Sequence, residues 1–228
     1  MQPGGQAMAV PAGPAPAVEL NLLGGFELKR LDGQTIDIQG QKERALLAIL
    51  ALAPGIDHAR DKLAGLLWSD RGEPQARDSL KHALTRLRQG LAGIVPDPIA
   101  AGRQAVRFDP AGVAVDVLRF KRLVAQATQT ALEQATGLWQ GDLFDGIAVR
   151  DASFEEWLLA ERQRLRRLME EALARLIGPG LQPAVRERAA QRLLALDPLR
   201  EAATRALMQV HAERQETPQA IRLYEALR

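Results

Sequence analysis

Glu73-Pro-Gln-Ala-Arg-Asp-Ser-Leu-Lys-His-Ala-Leu-Thr-Arg-Leu-Arg-Gln-Gly-Leu91 has the period of an amphipathic helix, and its two faces differ sharply in chemistry. Leu80, Ala83, Leu84, Leu87 and Leu91 recur at i, i+3, i+4, i+7 spacing and form one apolar stripe. The opposite arc carries Asp78, His82, Thr85 and Gln89, flanked by Ser79, Lys81 and Arg86, while Arg77 and Arg88 lie beside the seam. Arg and Lys neutralise phosphates, and Arg, His, Gln, Ser and Thr also hydrogen-bond base edges. Taken alone, this face also fits a solvated surface helix with ordinary charges.

Working outward, Gln41–Ala53 (QKERALLAILALA) is a second amphipathic helix, stopped by Pro54-Gly55. Arg60–Trp68 (RDKLAGLLW) is a third, with Leu63, Leu66, Leu67 and Trp68 inward, closed by Ser69-Asp70-Arg71-Gly72. Three helices with the most basic one last are the parts of a helix-turn-helix domain. Ahead of them, Val18-Glu-Leu-Asn-Leu-Leu and Phe26-Glu-Leu-Lys read as short strands around a bend at Gly24-Gly25, and Thr35-Ile-Asp-Ile reads as another after the Asp32-Gly33 turn. After the third helix, Ile99-Ala100 and Ala105-Val-Arg-Phe flank Gly102-Arg103-Gln104 as a hairpin flanks its tip, which is the wing of a winged helix.

At 228 residues with 46% apolar side chains, the chain has room for two packed domains. It contains no cysteine, which excludes disulfides, thiolate zinc sites and a cysteine nucleophile. Residues 1–17, rich in Pro, Gly and Ala, read as a disordered tail and not as a signal peptide. No run of about 18 apolar residues suggests a membrane span, and the expected location is the cytoplasm, in association with the nucleoid. The net charge is only +2, but Arg77, Lys81, Arg86 and Arg88 against Asp78 give residues 77–88 of the basic helix +3. Clustered basicity of this kind suits a sequence-reading module more than a general DNA coater.

From about Val113 onward strand signals give way to helical periods: Val117–Ala127, Thr130–Gln140, Phe154–Ile177, Pro183–Leu196, Arg200–Ala212 and Pro218–Arg228. The expected organisation is therefore an α+β winged helix-turn-helix domain over 18–112 and an all-α domain of helical pairs over 113–228. Ala189-x-Gln-Arg-Leu-Leu-Ala-Leu returns as Ala220-x-Arg-Leu-Tyr-Glu-Ala-Leu after about thirty residues, near the 34-residue tetratricopeptide period. Such repeats generally bind protein, although a plain helical bundle shares the pattern. Catalytic and metal motifs are missing. His58, His82 and His211 are far apart, with no zincin spacing, and neither a P-loop nor a nucleophile elbow is present. Trp68, Trp139 and Trp157 take apolar helix positions and read as core anchors. No cofactor is expected.

Leu22-Leu-Gly-Gly-Phe-Glu-Leu, Gln41-Lys-Glu-Arg-Ala-Leu-Leu-Ala-Ile-Leu-Ala-Leu, Asp61-Lys-Leu-Ala-Gly-Leu-Leu-Trp68 and Ala76-Arg-Asp-Ser-Leu-Lys-His-Ala-Leu-Thr-Arg-Leu-Arg88 resemble the winged-helix half of SARP-type transcriptional activators. Val115-Asp-Val-Leu-Arg-Phe120, Trp139-Gln-Gly-Asp-Leu143, Glu156-Trp157 with Glu161-Arg-Gln-Arg-Leu165, and Leu194-Ala-Leu-Asp-Pro-Leu-Arg-Glu201 resemble their bacterial transcriptional activator domain. The resemblance runs from about Val18 to the last residue. It differs from the family at Asp78, which stands where the pattern commonly has Asn, and at the wing tip Ala101-Gly-Arg-Gln-Ala-Val, which lacks the usual Gly-Tyr-like form.

The sequence thus points to a DNA-binding activator. Arg77, Lys81, Arg86 and Arg88 would mainly hold phosphates; Ser79, His82 and Thr85 would face base edges; Arg103 at the wing tip would reach backbone or minor groove. The resemblance implies a contact with RNA polymerase through Ser69, Asp70, Arg71, Gly72 and Glu73, and self-association of the helical domain as a homodimer on repeated sites of double-stranded DNA. It also implies that many relatives continue into ATPase, cyclase or repeat modules, and whether this chain is a fragment of such a longer regulator is left open by the sequence. The alternative from another class is a protein-interaction adaptor that uses the tetratricopeptide-like domain without binding DNA.

Overall fold

The computed structural model describes residues 16–226. Most of the expected disordered tail lies outside them, but Ala17 is already fixed: its N–H donates to the Gly112 carbonyl (3.0 Å) and its own carbonyl accepts from Leu31 N (3.3 Å). The chain divides into two compact units. The first holds the described residues through Leu20 together with Glu27–Val115; the second holds Asn21–Phe26 and the chain from Asp116 onward.

In the first unit β1 (Val18–Asn21, whose last residue counts with the second unit) lies between β2 (Glu27–Arg30) and β6 (Val113–Val115), with β1 and β6 parallel and Val18 opposite Val113. Then come α1 (Gln41–Ala51), β3 (His58–Ala59), α2 (Arg60–Leu67), α3 (Glu73–Gly90), β4 (Ile99–Ala101) and β5 (Ala105–Phe108). β3, β5 and β4 form a second antiparallel sheet in that order, with Ala101 opposite Val106 and the turn closed by Gly102 N to the Ala105 carbonyl at 2.9 Å. This is the helix-turn-helix and wing that the sequence suggested. Thr35–Ile38 is not a strand: only Thr35 bridges to Lys29, and the segment then leaves the sheet, with Ile38 buried, to reach α1. β3 and β6 escaped notice because two or three residues are too few to show a period.

The core of the first unit is the convergence of three helix stripes. α3 buries Leu80, Ala83, Leu84 and Leu87 of the predicted seam, with Leu91 buried just past its end and Ala76 added at its start, against Leu46, Leu47 and Leu50 of α1 and Leu63 and Leu67 of α2. Burying each such leucine stabilises the unit by about 1.5–3 kcal/mol. α3 starts with Gly72 as N-cap and Pro74 in its first turn, where the missing N–H costs nothing. α1 starts after Gly40 at φ 89, where an added Cβ would lie 2.1 Å from Glu43 Oε2; only glycine lets the Glu43 carboxylate fold back beneath the helix start.

The second unit contains α4 (Asp116–Gln126), α5 (Gln129–Leu138), α6 (Ala152–Leu176), α7 (Pro183–Leu196), α8 (Glu201–Glu213) and α9 (Thr217–Ala226). Each helix packs on the next, the nearest-neighbour order of a helical repeat. The starts of α7 and α9, Pro183 and Thr217, lie 34 residues apart, and α7 and α8 are clasped by buried Arg186, whose Nη1 holds Glu213 at 2.7 Å. The domain is all-helical and tetratricopeptide-like.

Asn21–Phe26 belongs to this unit although the motif Leu22-Leu-Gly-Gly-Phe was read with the winged helix. Leu22 and Leu23 are buried, and both N–H groups donate to Asp116 Oδ2 at 2.8 Å. Gly24 donates to the Asp142 carbonyl (3.0 Å) at φ 107, and a Cβ on it would meet Gln140 Cβ at 2.9 Å. Phe26 stands edge-on to Phe144 at 5.9 Å. The units are thus divided after Val115, with this one excursion, and not simply at residue 112.

Candidate nucleic-acid interface

On α3 the sequence-predicted residues share one exposed side. Asp78, Lys81, His82, Thr85 and Gln89 are exposed and Ser79 is half-buried. Both hydroxyls are already committed as donors, Ser79 Oγ to the Gln75 carbonyl (2.7 Å) and Thr85 Oγ1 to the Lys81 carbonyl (3.0 Å). Each oxygen is left with acceptor capacity, which matches amino groups on base edges. Ser79 also accepts from Arg71 Nη1 at 2.8 Å, which ties the preceding loop to the helix.

The arginines differ from the expectation of free cations. Arg77 holds Asp61 of α2 through Nε (2.6 Å) and Nη2 (3.0 Å). Arg88 holds Asp97 Oδ2 through Nε (3.1 Å) and Nη2 (2.7 Å). Arg86 holds Glu43 Oε1 through Nε (2.7 Å) and Nη2. The last pair is asymmetric: the Arg86 side chain is 56% exposed and that of Glu43 only 5%. Arg77 pulls the Asp61 carboxyl below its usual value; for Asp97 partial burial pushes up, but the Ile99 N–H and Arg88 bring it below. Among the described residues Lys81 has no ion pair, so the positive field of α3 is much weaker than its sequence suggests. Arg86 also departs from the sequence picture of a side chain standing clear of the core, since it caps a buried carboxylate.

The hairpin is held beside α3. Arg60 donates through its backbone N–H to the Gln104 carbonyl and through Nε to the Gly102 carbonyl, both at 3.0 Å, and Arg107 of β5 grips Asp57 with two 2.8 Å bonds. A groove of about 590 Å³ runs between α3 and β4, lined by Arg60, Lys81, Thr85, Arg88, Gln89 and Ala101 among others. A second of about 450 Å³ lies toward the tip, with Arg77, Arg103 and Gln104 on its walls. Ser69, Asp70, Arg71, Gly72 and Glu73 are all exposed on the turn between α2 and α3, after Trp68, which is buried beneath Lys42 at 5.4 Å.

Sequence reasoning missed Arg60, Asp61, Asp97 and Glu43. The first three have no local signal. Glu43 had one: it shares the i, i+3, i+4, i+7 stripe of Leu46, Leu47 and Leu50, and a carboxylate on an apolar face requires a partner. Among the described residues no cluster of three or more metal-ligating side chains exists and no helix is long and apolar enough to cross a membrane.

A wing beside the third helix of a helix-turn-helix, followed by a helical repeat domain, defines a class of multidomain transcriptional regulators. Residues 115–228 match the family described as bacterial transcriptional activator domain, so the chain belongs to that family. The SARP-type resemblance is borne out, and the family is one of transcriptional regulators. Among curated proteins none matches the sequence. Among solved structures the chain is similar to one of Mycobacterium tuberculosis EmbR in complex with low affinity phosphopeptide, at a TM-score of 0.66 and 22% identity, over 93% of this chain and 59% of that one. That likeness supports the winged helix plus helical architecture; the chain spans about three fifths of the EmbR chain.

Proposed function

We propose that the first unit binds double-stranded DNA with α3 in the major groove and the β4–β5 hairpin against the neighbouring backbone or minor groove. The observation that carries this reading is the single exposed side on which Lys81, His82, Thr85 and Gln89 line up, with the wing fixed next to it by Arg60. Lys81 and Arg103 supply phosphate contacts, while the outer ends of Arg77, Arg86 and Arg88 reach phosphate or guanine. Ser79, His82 and Thr85 read base edges. The exposed loop Ser69–Glu73 contacts RNA polymerase, as the family resemblance implies, and the helical unit joins two copies on repeated sites. Leu199 at 89% exposure and Ile221 and Tyr224 at about half supply apolar surface for such a contact.

Selection from a random duplex library with the 1–228 protein tests the reading. A recovered motif, lost in the double variant Lys81→Ala/His82→Ala, is the expected result. Failure to enrich any sequence, with partner proteins bound instead through the helical unit, would establish the adaptor alternative.

A further inference from the structure

Arg77, Arg86 and Arg88 are held by the same edge by carboxylates from three different places: Asp61 on α2, through both of its oxygens, and Glu43 on α1 and Asp97 just before β4, each through one oxygen. In every case Nε and Nη2 make the pair. A guanidinium has five N–H groups, and this edge uses two of them. Two on Nη1 and one on Nη2 remain, with Arg77 Nη2 also 3.8 Å from Glu73 Oε2, and the side chains are 54%, 56% and 52% exposed. Chance ion pairing on a surface would not need a carboxylate as deeply buried as Glu43, nor the glycine at position 40 that makes room for it.

We propose that Glu43, Asp61 and Asp97 are positioning residues that hold Arg86, Arg77 and Arg88 by one edge and present their remaining N–H groups to DNA in a preset direction. The inference rests on the DNA-binding reading above and adds how specificity is obtained. Pairing cancels much of each positive charge, so the attraction that any duplex would feel is reduced. Fixing the fork in advance removes part of the side-chain entropy otherwise lost on binding, and the reward falls to a partner whose acceptors match, such as guanine O6 and N7. α3 therefore gives up general affinity for discrimination, which accounts for a recognition helix with one unpaired lysine and three tethered arginines.

The test uses the full 1–228 chain and the single variants Glu43→Gln, Asp61→Asn and Asp97→Asn, each nearly isosteric. Affinity for a selected site and for a scrambled duplex is measured by anisotropy across a salt series. Release of an arginine is expected to raise affinity for the scrambled duplex and to steepen the salt slope by about 0.9 for each cation that takes up a phosphate. The preference for the selected site should fall about tenfold for each arginine that reads a guanine. A purely structural carboxylate would change stability but leave both slope and preference as they were, and that result overturns the proposal. Should Glu43→Gln fail to fold, Asp61→Asn and Asp97→Asn, whose carboxylates are exposed, decide by the same two readouts. A wild-type chain that binds neither duplex overturns the DNA-binding reading itself and this proposal with it.

Discussion

Arg86→Ala should destabilise the first unit although Arg86 itself is largely exposed. Truncation removes both donors from Glu43 Oε1 and leaves a carboxylate with a 5% exposed side chain against Gly40 and the α1 start. Removing one partner of a fully buried pair costs about 3–5 kcal/mol. Water reaches the guanidinium side here, and a hydrogen bond to a charged group contributes about 1.5–3 kcal/mol, so the expected loss is about 2–3 kcal/mol. That is a large fraction of the roughly 5–15 kcal/mol a domain has in total. Trp68 is the tryptophan of the first unit, so urea unfolding followed by its fluorescence in a Trp139→Phe/Trp157→Phe background reads this unit alone. Glu43→Gln in the same background should cost less, and Glu43→Gln/Arg86→Ala should recover about 1 kcal/mol relative to Arg86→Ala, because no charge is then stranded. A midpoint for Arg86→Ala within about 0.5 kcal/mol of the parent would refute the reasoning.

Asp116→Ala should cost about 2–4 kcal/mol in the helical unit by orphaning the Leu22 and Leu23 N–H groups, with Asp116→Asn retaining part of that; equal loss in both, measured by thermal unfolding, would show that packing and not acceptance is at stake. Asp61, held down by Arg77, and Asp142, held down by Arg166, contribute stability that is present above the ordinary carboxylate value and is lost as pH falls through their lower folded values. Burial pushes the Asp116 carboxyl up, so its contribution runs the other way and fades as pH rises through its folded value. An Asp61→Asn/Asp142→Asn variant should therefore show a flatter decline of stability below about pH 4 by circular dichroism, and an unchanged decline would contradict the assignment. Ile221→Glu/Tyr224→Glu should convert paired occupancy of a two-site duplex into independent occupancy in light scattering and gel shift; unaltered pairing would remove α9 from the assembly surface.

The winged helix was legible because the α3 stripe, the Pro54-Gly55 stop and the Gly102 hairpin tip each act locally. What was not legible is long-range. Nothing near Leu22 announces that its N–H bonds to a carboxylate 94 residues later, or that Gly24 is needed where Gln140 and Gly141 pass. The same holds for the α3 arginines: their exposure follows from helix period, whereas their partners Asp61, Asp97 and Glu43 are set by how α2, the loop and α1 meet them. The family motif Glu161-Arg-Gln-Arg has its physical sense only in three dimensions, where Arg162 ties the Leu143 and Phe144 carbonyls at 2.8 and 3.1 Å.

Chemical protection on a selected duplex tests the central claim most directly, because guanine N7 lies in the major groove and adenine N3 in the minor. With the 1–228 protein bound, guanine N7 positions at the centre of each half-site should be shielded from methylation, with adenine N3 shielded only at the flank under the Arg103 hairpin tip. Shielding should disappear at the centre in Lys81→Ala/His82→Ala while the flank persists at higher protein concentration. Full N7 reactivity under saturating protein would contradict placement of α3 in the major groove.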